Sequence, residues 1–171
     1  MIPNPLHPAV VHFPIVLATF LPLIALIVLG PMRGNRAKPR AWGVVVSLCA
    51  FLAVSAWVAV WTGSKQADRV EQVVAEQHVE AHEEAAEYFA VGSLVVLALS
   101  ALGLVAGGWG MVGRSLTLLL SVVLLAMVVR VGDLGGKLVY QHGAAQVYVE
   151  SSGQVDNTMQ PGAADRTEDD D

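Results

Sequence analysis

With 54% hydrophobic residues, 15% charged residues and a mean hydropathy of +0.56, this 171-residue chain excludes an ordinary soluble domain. Soluble proteins carry about 25% charged residues, and a chain of this length has no interior large enough to hide so much apolar surface. The net charge of −5 excludes the basic face that nucleic acid requires, and the single cysteine, Cys49, excludes an internal disulfide.

Four apolar stretches reach the roughly 20 helical residues that cross a hydrocarbon core. The first runs from about Ala9 to Gly30. No basic residue precedes it, Arg33 being the first, so it reads as a retained span and not a cleavable signal peptide. Pro14 and Pro22 predict a kinked helix, and Pro8 suits a first helical turn, where a missing N–H is harmless. A short basic loop, PMRGNRAKPR, leads to the second span, about Trp42 to Thr62. The segment Gly63 to Glu87 is rich in Ala, Glu and Gln, has no proline and, after Gly63, no glycine. It predicts helical extensions of spans two and three, with a bend and a weak apolar stripe of Val70, Val73, Val74 and Ala81. The third span is about Ala86 to Trp109, GGWGMVGR reads as a tight turn, and the fourth span starts near Ser115 and continues past Gly132.

The fold class expected is therefore all-α: an integral membrane antiparallel four-helix bundle, because short connections make neighbouring helices antiparallel. Residues 1–150 form this transmembrane domain, and residues 151–171, ending in DRTEDDD, form a disordered acidic tail. Arg33, Arg36, Lys38, Arg40 and Arg114 crowd two loops that contain no acidic residue. The positive-inside rule makes those loops cytoplasmic and puts both termini outside.

This topology gathers all five histidines, His7, His12, His78, His82 and His142, at the outer face. His78 and His82, four residues apart, share a helix face, but His78 lies in a charged stretch and reads as incidental. His7 and His12 are five apart and point roughly 140° from each other on an ideal helix, so they converge only if His7 is still extended. His12, flanked by apolar residues, calls for a buried partner. Arg130 and Asp133 end the fourth span, either as functional groups or as an i,i+3 pair.

The stretches LHPAVVHFPIVL at Leu6–Leu17, TGSKQADRVE at Thr62–Glu71, AHEEAAEY at Ala81–Tyr88 and GGKLVYQHGA at Gly135–Ala144 resemble the bacterial membrane proteins grouped as domain of unknown function 2231. The resemblance covers nearly the whole chain except the tail. It implies four spans and an inner-membrane location, and supplies no settled activity. It singles out His7, Pro8, His12, Pro14, His82, Glu83, Gly135, Gly136, Tyr140, His142 and Gly143. Ala85 and Ala86 stand where related sequences often place a glycine.

Three functional expectations follow from the residues. A b-type haem for electron transfer would take its axial imidazoles from His12 and His82, with His142 the alternative and His7 in the same cluster at the end of its span, and with Arg130 and Lys137 meeting its propionates. A periplasmic c-type cytochrome or a quinol would exchange electrons with it. Alternatively, His7, His12, His82, Glu83 and His142 would bind zinc or copper. The third expectation is a non-catalytic subunit of a membrane complex, or a homo-oligomer, whose acidic outer face docks a basic partner. No phosphate loop, His-Glu-x-x-His or nucleophile elbow occurs, so an enzyme acting alone is not expected.

Overall fold

A computed structural model of the chain describes residues 6–30 and 39–148. Its elements are all helical: α1 (His7–Val10), α2 (His12–Leu29), α3 (Pro39–Val70), α4 (Glu76–Leu102) and α5 (Gly108–Tyr140). The basic residues Arg33, Arg36 and Lys38, and the tail expected to be disordered, lie outside the described residues.

Helices α1 and α2 form one membrane-length unit, His7–Leu29, interrupted at Val11. The cause is Pro14, which has no N–H for the Val10 carbonyl and whose ring crowds it. Pro8 occupies the first turn of α1, as its chemistry predicts. Helices α3, α4 and α5 are also long and apolar enough to cross a membrane. The protein is therefore a multi-pass membrane protein embedded in a lipid bilayer.

Each of the four long helices packs on its sequence neighbours, and α2 closes the ring against α5. The result is an up-down-up-down bundle in which α2 lies diagonally across from α4, and α3 from α5. Small residues line the interior: Ala18, Ala25, Cys49, Ala56, Ala90, Ser93, Ser100 and Ser121. They let helices approach closely, which matters in lipid because burial of apolar area drives nothing there. The buried hydroxyls satisfy themselves on their own helices, for example Ser93 on Ala90 O and Ser121 on Leu118 O. Large apolar side chains such as Phe13, Phe20, Ile27, Phe51 and Leu119 face outward, where lipid is their solvent.

The 32 residues of α3 and 33 of α5 correspond to about 48–50 Å, well beyond a hydrocarbon core of about 30 Å. The excess lies at the end that holds the histidines. There α3 runs on to Val70, the chain turns through residues 71–75, and α4 begins at Glu76, as the helical extensions predicted. The apolar stripe differs from expectation. Val74 and Val79 pack with Leu138 and Ala144, while Val73 and Ala81 are exposed. Beyond Tyr140 the strap 141–148 folds back: Ala144 N–H donates to Leu138 O, Gly143 takes φ +74°, and Tyr148 Oη donates to Gln66 Oε1 at 2.9 Å.

The opposite end corrects two boundaries. α4 ends at Leu102, and the run GWGMVGR belongs to α5 and not to a turn. Its glycines are packing sites. A Cβ on Gly110 would collide with the Val105 carbonyl, and one on Gly113 would stand 2.7 Å from Gly103 N. Close helix contact thus outweighs glycine's poor helix propensity. Arg114 is not a loop residue. It is 4% exposed, and its Nε donates to Gly103 O at 2.7 Å, a cation on the negative end of α4. Trp42, fully buried, donates its Nε1–H to Ser100 O at 2.9 Å.

Candidate functional site

The site lies where the membrane-depth part of the bundle meets its extramembrane end. His7, from α1, reaches across to α3. Its Nδ1 stands 3.0 Å from the Ala59 carbonyl oxygen and 3.3 Å from Thr62 Oγ1. The hydroxyl of Thr62 donates to the same carbonyl at 3.0 Å. The ring lies against Gly63, where an added Cβ would come within 3.1 Å of His7 Cε1. His82, from α4, repeats this arrangement against α5. An added Cβ on Gly135 would stand 3.0 Å from His82 Cε1. Each imidazole is thus seated on a glycine of a neighbouring helix, in a place no other residue leaves open.

The two rings face one another across the bundle, with centroids 6.3 Å apart and planes at 84°. They differ in their hydrogen bonds. His7 Nδ1 is satisfied, whereas His82 Nδ1 is buried with no hydrogen-bond partner. The Val131 carbonyl, four residues before Gly135, interacts with the imidazole as a weak, poorly aligned hydrogen-bond acceptor and leaves Nδ1 without a well-formed bond. A buried nitrogen left this way costs about 1–3 kcal/mol, so its presence calls for an explanation.

A second histidine pair sits above the first. His78, one turn before His82 on α4, stacks on His142 of the strap, with centroids 4.0 Å apart and planes at 17°. Both rings are half-buried. The His142 N–H donates to Lys137 O at 3.1 Å, which ties this stack to the end of α5.

The family described as Predicted membrane protein (DUF2231) matches residues 3–147. The chain belongs to this family. No curated protein and no solved structure matches it. The matched region of this DUF2231 chain takes in both histidine pairs and both glycine seats, and leaves out the acidic tail.

Of the residues singled out in the sequence, the DUF2231 structure brings His7, His82 and Gly135 together and stacks His142 on His78, while His12 stands apart. His12 is exposed on α2 and has no hydrogen bond among the described residues, so it lacks the buried partner expected of it. His7 and His12 do not converge, because α1 is already helical at His7 and the two side chains keep their helical divergence. His142 belongs with His78, the histidine that read as incidental, although the four-residue spacing of His78 and His82 was legible in the sequence. Glu83 lies with Glu80, Glu84 and Glu87 along an open acidic groove of α4. The Arg130–Asp133 pair does not form: Asp133 accepts from Lys137 Nζ at 2.6 Å, and Arg130 is exposed with no partner among the described residues. Lys137 is therefore committed, and Arg130 is the cation available beside Val131. Ala59, Thr62 and Gly63 were missed as parts of the site. Their sequence signal was the opening of the stretch TGSKQADRVE, which marks Thr62 and Gly63 as part of the resemblance but not as neighbours of His7.

Proposed function

We propose that this protein is a membrane electron carrier in which His7 and His82 supply the two axial imidazoles of a b-type haem. The observation that carries this reading is the pair itself. Two imidazoles from diagonal corners of the bundle meet in its interior, and one of them keeps a buried nitrogen without a partner. Their 6.3 Å separation is close to the roughly 6–6.5 Å that two imidazoles take across one ion with bonds of about 2.0–2.1 Å. Zinc asks for three or four protein ligands, and among the described residues no group of three His, Cys, Asp or Glu is close enough to hold an ion. Two opposed imidazoles are what haem needs from a bundle.

Haem bound here would supply one-electron exchange. The chain's own residues do the rest. His7 and His82 would ligate, Gly63 and Gly135 would let the rings lie flat, and the exposed Arg130, at the same end of α5, is the cation proposed to meet a propionate. In this reading the histidine end faces outward from a bacterial inner membrane, since Arg33, Arg36, Lys38, Arg40 and Arg114 lie at the other end with no acidic residue among them. The exposed acidic residues of α4 then favour a basic periplasmic carrier such as a c-type cytochrome, with a quinol as the alternative electron donor.

The absorption spectrum of the detergent-purified protein, oxidised and then reduced with dithionite, tests this. A Soret shift and an α-band are expected, absent in His7→Ala and His82→Ala and kept in His12→Ala. A featureless spectrum with one copper per chain moves the assignment to a two-histidine copper site on the same pair. Neither haem nor metal refutes both.

A further inference from the structure

We infer that Gly63 is a positioning residue that gives His7 access to the Ala59 carbonyl and so holds its imidazole as the Nδ1–H tautomer, with Nε2 as the open electron-pair donor. The inference deepens the cofactor reading for His7, but its premises are contacts within the protein chain alone.

A carbonyl oxygen can only accept a hydrogen bond. The Ala59 oxygen stands 3.0 Å from His7 Nδ1, so the proton of that contact belongs to the imidazole. The second neighbour agrees. Thr62 spends its hydroxyl proton on the same carbonyl, which leaves a lone pair facing Nδ1 at 3.3 Å. Both acceptors thus favour a proton on Nδ1, and a neutral imidazole carries only one, so Nε2 is bare. Ordinarily the carbonyl of residue i inside a helix is screened by the side chains of the following turn. At Ala59 the residue four ahead, whose N–H completes the helical bond, is Gly63, and it has no side chain to stand in the way. A Cβ there would come within 3.1 Å of Cε1 and 3.3 Å of Nδ1. The glycine therefore gives the ring a flat place to lie and opens the route to the carbonyl at the same time. Fixing one nitrogen of a ligating histidine through the other is how proteins set ligand orientation and basicity. At His82 the corresponding carbonyl is that of Val131, four residues before Gly135; it interacts with the ring but does not form the well-aligned Nδ1 hydrogen bond that Ala59 O forms with His7.

The test reads nitrogen shifts of the full-length protein labelled with ¹⁵N-histidine in detergent, without added haem or metal and above the imidazole titration range. The His7 signals are assigned by their loss in His7→Ala. Wild type is expected to show a protonated Nδ1 and a bare Nε2, with the Nδ1–H form favoured about ten-fold, the ratio set by leaving a buried N–H without its acceptor. Gly63→Ala is expected to bring the two tautomers to within about two-fold of each other. Gly132→Ala, where an added Cβ meets nothing within 4 Å, is expected to change nothing. A wild-type His7 protonated on Nε2 overturns the inference, whether or not the protein binds haem. So does a Gly63→Ala spectrum identical to wild type. A wild type that has the stated tautomer and yet binds no haem or metal leaves this assignment standing and removes the cofactor reading instead.

Discussion

Replacing His82 by phenylalanine in protein prepared without haem is expected to stabilise it. The buried Nδ1 of His82 has no partner, a defect of about 1–3 kcal/mol that an apolar ring removes. Phenylalanine keeps a flat face toward Gly135, where the seat admits a ring but little more. Its larger ring offsets part of the gain, so a net stabilisation of about 1 kcal/mol is expected, about five-fold in the folded-to-unfolded ratio. For a chain of this size that corresponds to a rise of about 2–4 °C in melting temperature. His7→Phe should move the other way, by about 1 kcal/mol, because it discards a satisfied hydrogen bond to Ala59 O. Thermal unfolding in detergent, followed by fluorescence of the four tryptophans, measures both. Under the proposed function, adding haem should stabilise the wild type above both variants, since neither retains both imidazoles. The reasoning fails if His82→Phe melts below the haem-free wild type, or if the two variants are indistinguishable.

Three further outcomes follow from the packing. Arg114→Ala should cost about 2–4 kcal/mol in the same melting assay, because it removes a charge-assisted bond to Gly103 O and leaves a void at a 4%-exposed position; unchanged stability would mean that the cap contributes nothing. Gly113→Ala should destabilise, since its Cβ would stand 2.7–3.0 Å from backbone atoms of α4 and its C-terminal cap, whereas Gly132→Ala, with open space around it, should gain up to about 1 kcal/mol from helix propensity. His78→Ala should weaken protection of the strap amides, His142 and Ala144 above all, by about three- to ten-fold in hydrogen exchange, the range of a lost ring contact of about 0.5–1.5 kcal/mol; protection equal to wild type would refute a role for the stack.

Much of this was legible in the sequence because depth in a membrane is a local property. Runs of about 20 apolar residues, the loops between them and Pro14 just after the break in α1–α2 announce spans, turns and a kink without reference to any other helix. The gathering of five histidines at one end followed from counting crossings. The boundary between α4 and α5 was not legible. GWGMVGR has the composition of a turn, yet it is helical because Gly110 and Gly113 lie against the backbone of the preceding turn and of α4. Arg114 had the appearance of a loop charge and proves to be a buried cap.

The histidine end itself was thus determined by the sequence, while the choice of partners within it belongs to the tertiary structure. Four-residue spacing places His78 and His82 on one face but cannot tell that His78 meets His142 across 64 positions of chain, or that His82 meets His7. That depends on how each helix is turned about its axis, which is set by contacts made between helices: His7 on Gly63 and Ala59 O, His82 on Gly135. A small residue such as Gly63 has no hydropathy signal to mark it. Its meaning arises only when a ring from another helix comes to lie against it, and for that reason Gly63 and Gly135 could be marked in the sequence by resemblance but recognised as seats only once the bundle was assembled.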